Sequence, residues 1–179
     1  DYREKEPLRY FDTDELIKPQ WIIERVGKVL GDNAIVSTDV GQHQMWTAQH
    51  FKFNEPRKLI TSGGLGTMGF GFPAAMGAMA SKKEGYVINI AGDGSIQMNI
   101  QELMTCVDYK FKVINCIINN GYLGMVRQWQ NLFYGERYSY TVLNDAVDFV
   151  KLAEAMGAKA YRITKKEEVS KKKRICINI

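Results

Sequence analysis

Two short segments of the 179-residue chain place oxygen-bearing side chains between glycines. They are Gly92-Asp93-Gly94-Ser95 and, 25 positions after Gly94, Asn119-Asn120-Gly121-Tyr122. Asp93 offers a hard carboxylate oxygen, Asn120 an amide oxygen, and Tyr122 a backbone carbonyl from the turn. Oxygen-only donors suit Mg²⁺, which prefers an octahedral shell and completes it with water and phosphate oxygens. Gly92 and Gly94 let backbone approach a bulky anion. Ser95 is placed to cap a helix whose free N–H groups and dipole favour negative charge. These parts describe a metal–diphosphate site that needs no lysine. No Gly-Lys-Ser/Thr occurs, which excludes a triphosphate P-loop. Each segment alone is ordinary turn chemistry; the pairing at neighbouring strand ends is what singles them out. A third segment, Gly41-Gln42-His43-Gln44, sets His43 between two glutamines. His43 is either a structural histidine or a donor to phosphate. His50, Trp21 and Trp46 read as packing residues.

The elements that must position these residues alternate. Pro19 opens a helix carrying Ile22, Val26, Val29 and Leu30, which Gly31 stops. Strands follow at Ala34–Thr38 and Lys58–Thr61. Pro73–Ala80 is a helix of small side chains. Tyr86–Ala91 is an apolar strand ending at Gly92-Asp93-Gly94. Ser95 starts a helix with Ile96, Ile100, Leu103, Met104 and Val107 on its apolar face. Lys112–Ile118 is a buried strand closed by Asn119-Asn120-Gly121. A helix bearing Met125, Trp129 and Leu132 follows, and another capped by Asp145 carries Phe149, Leu152, Ala153 and Met156 before Gly157. Ala158–Ile163 and Arg174–Ile179 read as strands. Short continuous apolar strands alternating with helices predict an α/β fold, with a mainly parallel sheet of about six strands and helices on both faces. In such sheets ligands sit beyond the carboxyl ends of the strands, where all three segments lie.

Composition narrows the classes. The chain is 45% apolar and 25% charged, which argues against disorder and coiled coil. Its net charge of +4 equals the run Lys171, Lys172, Lys173 and Arg174, so the remainder is balanced and nucleic acid is not indicated. No apolar run reaches the ~18 residues of a membrane span. Cys106, Cys116 and Cys176 have no metal-like spacing; Cys116 reads as buried, and a reduced, cytoplasmic setting is expected. Residues 1–17 are polar, lack a period and read as a linker from a preceding domain, so a start at Asp1 suggests part of a longer chain. About ten residues separate the last two strands, short for a parallel crossover; either the crossover is unusually short or residues are missing before Arg174, and the sequence leaves both open.

The Gly92-Asp93-Gly94 to Asn119-Asn120 arrangement resembles the diphosphate-binding motif of thiamin diphosphate enzymes. Within that superfamily the chain is similar to the catalytic large subunit of acetohydroxyacid (acetolactate) synthases. The similar segments are 38–46, 61–69, 97–103 and 124–130, continued by Phe133-Tyr134 and Arg137-Tyr138-Ser139. The resemblance covers roughly residues 17–165 and implies a thiamin diphosphate-binding fold over residues 18–179, the last domain of a longer subunit. It further implies that Asp93, Asn120 and the Tyr122 carbonyl hold Mg²⁺. Gln42, His43, Gly94 and Ser95 would hold the diphosphate, Val40 and Gly41 would also bind the cofactor, and Leu123, Gly124 and Met125 would line the same end. Gly66 and Met68 would meet the aminopyrimidine, Met68 as the large residue beneath a bent cofactor. Met125 and Trp129 would shape the pocket for the second 2-ketoacid, although a Met/Trp pair one turn apart also fits a core stripe.

The implied reaction joins pyruvate to pyruvate or 2-ketobutyrate with loss of CO₂, in branched-chain amino acid biosynthesis. FAD, a regulatory small subunit and a homodimer or larger assembly through the N-terminal domain are implied for the parent enzyme. The cofactor-activating glutamate lies on that N-terminal domain, so no catalytic residue is assigned here and the chain alone is expected to be inactive. One motif competes. Gly64-Leu65-Gly66-Thr67-Met68-Gly69 fits G-x-G-x-x-G after a strand and before a helix, and Asp93 lies 24 residues beyond Gly69. A nicotinamide-binding Rossmann domain is therefore the alternative, with a non-catalytic binding module as a third class.

Overall fold

The computed structural model describes residues 2–13, 15–81, 85–143, 147–169 and 176–178. The order is α1 (Tyr2–Lys5), α2 (Pro19–Leu30), β1 (Ile35–Thr38), α3 (Gln42–His50), β2 (Leu59–Thr61), α4 (Gly71–Ser81), β3 (Val87–Gly92) and α5 (Asp93–Ile96). A 3₁₀ turn (Ile100–Glu102) leads to α6 (Leu103–Asp108), β4 (Val113–Asn119), α7 (Gly124–Phe133), α8 (Phe149–Ala155), β5 (Arg162–Ile163), α9 (Lys166–Val169) and β6 (Cys176–Asn178).

The strands form one parallel sheet in the order β2-β1-β3-β4-β6-β5. The block β2-β1-β3-β4 has the long registers, with six consecutive pairs from Val87↔Val113 to Gly92↔Ile118. β6 and β5 extend it by two pairs at each contact. The chain passes from β1 outward to β2, then back across to β3. The order thus reverses between β1 and β3, and the crevice outside the carboxyl ends at such a switch point is where open α/β sheets bind ligands.

Alternate strand residues face opposite helix layers. Ile88, Ile90, Cys116 and Ile118 pack with Ile22, Ile23 and Val26 of α2 and with Phe51 after α3. Ala91 and Ile117 pack with Phe72 and Met76 of α4, Cys106 of α6 and Phe149 of α8. Val87 meets Ala75 and Ala78, where the small side chains of α4 allow close approach. Each fully buried large apolar side chain stabilises the fold by about 1.5–3 kcal/mol.

The α4 side of the sheet also carries a buried polar row. Ser37, Asn89 and Asn115 are register partners on β1, β3 and β4. Asn89 Nδ2 donates to Asn115 Oδ1 at 3.0 Å, and Ser37 Oγ donates to the Gly71 carbonyl at 2.7 Å. Gly71 opens α4 directly on this row. A Cβ there would lie 2.5 Å from Asn89 Oδ1 and 2.5 Å from the Asp39 nitrogen.

Several elements differ from the sequence expectation. The helix expected from Ser95 to Val107 is three pieces: α5, the 3₁₀ turn and α6. Asn99 breaks it by leaving helical geometry and donating Nδ2–H to the Gly69 carbonyl at 2.7 Å. A tertiary bond thereby overrides helical periodicity, as short amide side chains readily do. Met104, expected on the apolar face, is exposed. Ser95 is the third residue of α5 rather than its cap; Gly92 precedes the helix. The cap of α8 is Asp148, whose Oδ1 accepts the Val150 and Lys151 N–H groups at 3.1 and 3.2 Å. Asp145 and the run Lys171–Arg174 lie outside the described residues. The strand expected from Ala158 is confined to Arg162–Ile163. Ile17 in the lead-in is buried in the α2-side core. Lys166 Nζ binds both Asp12 carboxylate oxygens, at 2.8 and 2.9 Å, and the Thr13 carbonyl at 2.7 Å.

Because Asn89 Oδ1 and the Asp39 backbone cannot both yield to a Cβ, Gly71→Ala is expected to destabilise the chain by about 3 kcal/mol, the upper range for overpacking. The midpoint of urea unfolding measures this.

Candidate cofactor and metal site

A cleft opens where β1, β3 and β4 end. The end of β1 contributes Val40, Gly41, Gln42 and His43; the end of β3 contributes Gly92, Asp93, Gly94 and Ser95. The segment after β4 contributes Asn120 and Tyr122 through Val126, and Met68 reaches in from the loop before α4. Trp46 and Ile118 also line it. The structure therefore brings together all but two of the residues singled out in the sequence. Gly66 is exposed and is not part of this lining. Trp129 lies in an adjoining groove with Val126, Gln130, Tyr134 and Arg137, and Met125 borders both cavities.

Asp93 is nearly fully buried. Its Oδ1 accepts the Gly94 N–H at 2.9 Å, and its Oδ2 accepts the Gly121 N–H at 2.7 Å. The second bond spans the ends of β3 and β4 and sets the Asn120–Tyr122 turn beside the carboxylate. Asn120 Oδ1 accepts the Tyr122 N–H at 3.1 Å. The Ser95 hydroxyl lies 3.2 Å from both the Gly92 nitrogen and the Gly92 carbonyl oxygen. The helix it belongs to is a single turn of four residues, too short for a long helix dipole. Among the described residues no three His, Cys, Asp or Glu side chains cluster as a metal centre. Asp93 and Asn120 line the same cleft with oxygen-bearing side chains, the donor type that Mg²⁺ accepts together with phosphate and water.

A family model matches residues 39–178: thiamine pyrophosphate enzyme, C-terminal TPP binding domain. The chain belongs to this family. It is 51% identical over 172 residues to a probable acetolactate synthase large subunit of Methanocaldococcus jannaschii, covering 93% of this chain and 29% of that protein. It is 48% identical over 171 residues to the acetolactate synthase large subunit of Haemophilus influenzae, covering 96% and 30%. The mitochondrial acetolactate synthase catalytic subunit of Saccharomyces cerevisiae is 49% identical over 177 residues, covering 96% and 26%. The chain thus spans about 30% of the length of the curated relatives it matches.

Membership of the thiamine pyrophosphate-binding family displaces the nicotinamide alternative, and topology gives the reason. The glycine pattern 64–69 follows β2, the edge strand, whereas a dinucleotide fingerprint belongs at the switch point. Its glycines serve the loop itself: Gly66 and Gly69 have φ of +65° and +89°. Asp93 binds the backbone of its own cleft and does not await a ribose. Trp129 is 54% exposed and no residue of α7 is buried, so a core stripe is also excluded. Trp21 and Trp46 pack against the core as expected.

The cleft fits a diphosphate in its polar atoms. His43 Nε2 is buried and has no hydrogen-bond partner among the described residues. The ring fills space a Cβ would need, 2.8 Å from the ideal Cβ position at Gly41 and 3.0 Å from that at Gly92. Burial pushes the His43 pKa down to about 4, partly offset by a hydrogen bond with the Asp39 backbone. The imidazole is therefore neutral at pH 7 and brings no charge into the cleft. Gln42 Nε2 donates to Gln128 Oε1 at 2.9 Å, tying α3 to α7 across the cleft.

Sequence reasoning missed Asp39, fully buried at the end of β1. Its Oδ1 accepts the Val40 N–H at 2.9 Å and the Gly69 N–H at 2.8 Å, binding the Met68 loop to the β1 end. Burial raises its pKa, opposed by bonds from Val40, Gly69 and Gly71. Its only signal in the sequence was its place directly before Val40.

Between pH 6.5, the ordinary histidine value, and about 4, the unfolded chain takes up a proton that native His43 refuses. Its contribution therefore falls as pH drops through that window. Wild type is expected to lose about 2 kcal/mol relative to His43→Gln between pH 7 and pH 5. Paired urea titrations at the two pH values check this.

Proposed function

We propose that the chain is the cofactor-binding domain of an acetolactate synthase large subunit. In this reading residues 18–179 form the domain and residues 1–17 lead in from a preceding one. The names of the relatives support the reading. The single observation that carries it is the pair Asp93 and Asn120, presented from adjoining strand ends into one cleft with a neutral His43. Asp93, Asn120 and the Tyr122 carbonyl would hold Mg²⁺, and Gly94, Ser95, Gln42 and His43 the diphosphate. When bound, thiamin diphosphate supplies a nucleophilic carbon for the carbonyl of a 2-ketoacid and an electron sink for loss of CO₂. Met68 supports the organic end of the cofactor. Met125 and Trp129 border the space for the second 2-ketoacid, pyruvate or 2-ketobutyrate. FAD, a second subunit copy, a regulatory small subunit and a cytoplasmic setting belong to the whole enzyme in the same reading. Among the described residues no helix is long and apolar enough to cross a membrane.

Isothermal titration tests the cofactor assignment. Thiamin diphosphate is expected to bind only with Mg²⁺ present; NADH binding without metal would overturn the reading. Asp93→Asn keeps the side-chain shape but removes the charge. It is expected to weaken Mg²⁺-dependent binding by more than about 10–100-fold, the loss typical of outer-shell partners alone. Circular dichroism should show the fold retained.

Trp129→Leu in the full-length enzyme is expected to change the preference for 2-ketobutyrate over pyruvate while leaving cofactor affinity within about twofold, since Trp129 lies outside the cleft lining. Competition between the two acceptors, read by product ratio, measures it.

A further inference from the structure

The segment after α7 returns along that helix to the turn after β4, and side chains of α7 hold it there. Gln130 Nε2 donates to the Ser139 carbonyl at 3.0 Å. Gln130 Oε1 accepts the Thr141 hydroxyl at 3.2 Å and the Ser139 N–H at 3.4 Å. The Tyr138 hydroxyl donates to Asn131 Oδ1 at 2.7 Å. The Arg127 guanidinium stacks on the Tyr138 ring at 4.0 Å and on the Tyr122 ring at 4.6 Å. The other edge of the segment pairs with the turn. The Leu123 N–H donates to the Thr141 carbonyl at 2.9 Å, and the Leu143 N–H donates to the Gly121 carbonyl at 2.8 Å. Tyr122 and Val142 form an antiparallel bridge, and Thr141 is fully buried.

One of these bonds controls a metal ligand. The Tyr122 carbonyl and the Leu123 N–H belong to the same planar trans peptide and point opposite ways. Holding the N–H on the Thr141 carbonyl therefore aims the Tyr122 carbonyl away from the strap. The Gly121 N–H bond to Asp93 Oδ2 fixes the preceding peptide in the same frame.

We infer that Gln130 is a positioning residue for the metal: by pinning Ser139 and Thr141 it sets the direction of the Tyr122 carbonyl. The inference rests on the proposed Mg²⁺–thiamin diphosphate site. It makes a specific demand on ion type. Mg²⁺ requires near-ideal octahedral geometry at about 2.0–2.1 Å, whereas Ca²⁺ accepts six to eight oxygens in flexible arrangements. A misdirected carbonyl therefore penalises Mg²⁺ more than Ca²⁺.

The test titrates thiamin diphosphate into the full chain by calorimetry, with saturating Mg²⁺ or saturating Ca²⁺. Gln130→Ala is expected to lower Mg²⁺-supported affinity about tenfold, the low end for outer-shell partners, and Ca²⁺-supported affinity less than about threefold. Thr141→Val deletes the hydroxyl bond but keeps the carbonyl that holds Leu123, so it should show the same bias at smaller size. It also carries the comparison if Gln130→Ala loses its circular dichroism spectrum. Equal losses with both ions, or no loss with either, overturn the inference and leave the cofactor site standing. Failure of the wild-type chain to bind with either ion overturns the site, and the inference with it.

Discussion

The bond from the Gly121 N–H to Asp93 Oδ2 organises this domain. It joins the ends of two neighbouring parallel strands at 2.7 Å, just where the Gly92↔Ile118 register brings both to one level. A nearly buried carboxylate is costly to desolvate unless hydrogen bonds and a countercharge compensate it. Two backbone N–H groups meet Asp93 from its own turn and from the next strand. The same carboxylate is the only charged side chain among the proposed metal ligands. In that reading a cation supplies the remaining compensation, and the strand ends are drawn together by the group that will hold it.

Around this bond the cleft keeps buried polar atoms without protein partners. His43 Nε2, Asp39 Oδ2 and Asn89 Oδ1 are all buried and unmatched among the described residues. Native proteins leave few such atoms, because each costs about 1–3 kcal/mol when unsatisfied. All three sit at or behind the ends of β1 and β3, on both sides of the switch point. His43 faces the cleft, and Asp39 and Asn89 flank the start of α4. Burial keeps the imidazole uncharged. Of these three residues only His43 lines the cleft, and in the proposed reading its fixed ring is a preorganised contact, which reduces the cost of binding.

The strand ends and their oxygen ligands were legible in the sequence because both signals are local. An apolar run closing on Gly-Asp-Gly or Asn-Asn-Gly shows a strand, its end and its chemistry within ten residues. The breaks were not legible. Ile96, Ile100, Leu103 and Val107 keep helical spacing, yet Asn99 spends its amide on the Gly69 carbonyl, a partner thirty residues away in sequence. Asp145 and Asp148 are equally good caps by type; Asp148 is the one among the described residues, and it is met by the Val150 and Lys151 N–H groups and by Arg162 at 3.0 Å. Asp39 escaped for the same reason, since its importance lies in a bond to Gly69. The G-x-G-x-x-G run misled because a motif carries no strand order. The edge position of β2 removes its dinucleotide meaning.

The periodicity of α7 points past the chain's own core. Met125, Trp129 and Leu132 recur at the spacing that normally buries a helix face, yet Trp129, Leu132 and the neighbouring Phe133 are more than half exposed. Leaving such side chains in water forgoes about 1.5–3 kcal/mol each, and contiguous apolar surface of this kind marks a place of interaction. The other end of the cleft is the reverse: Asp93, Ser95 and His43 are almost entirely enclosed. Met125 links the two, lining the cleft and bordering the groove of Trp129. The strand-end side of the cleft is thus enclosed, while α7 leaves its own apolar side chains uncovered. In the proposed reading that division has a chemical sense: the grip on the diphosphate is complete within the domain, and water around the reacting end is excluded only by surface the domain does not itself supply.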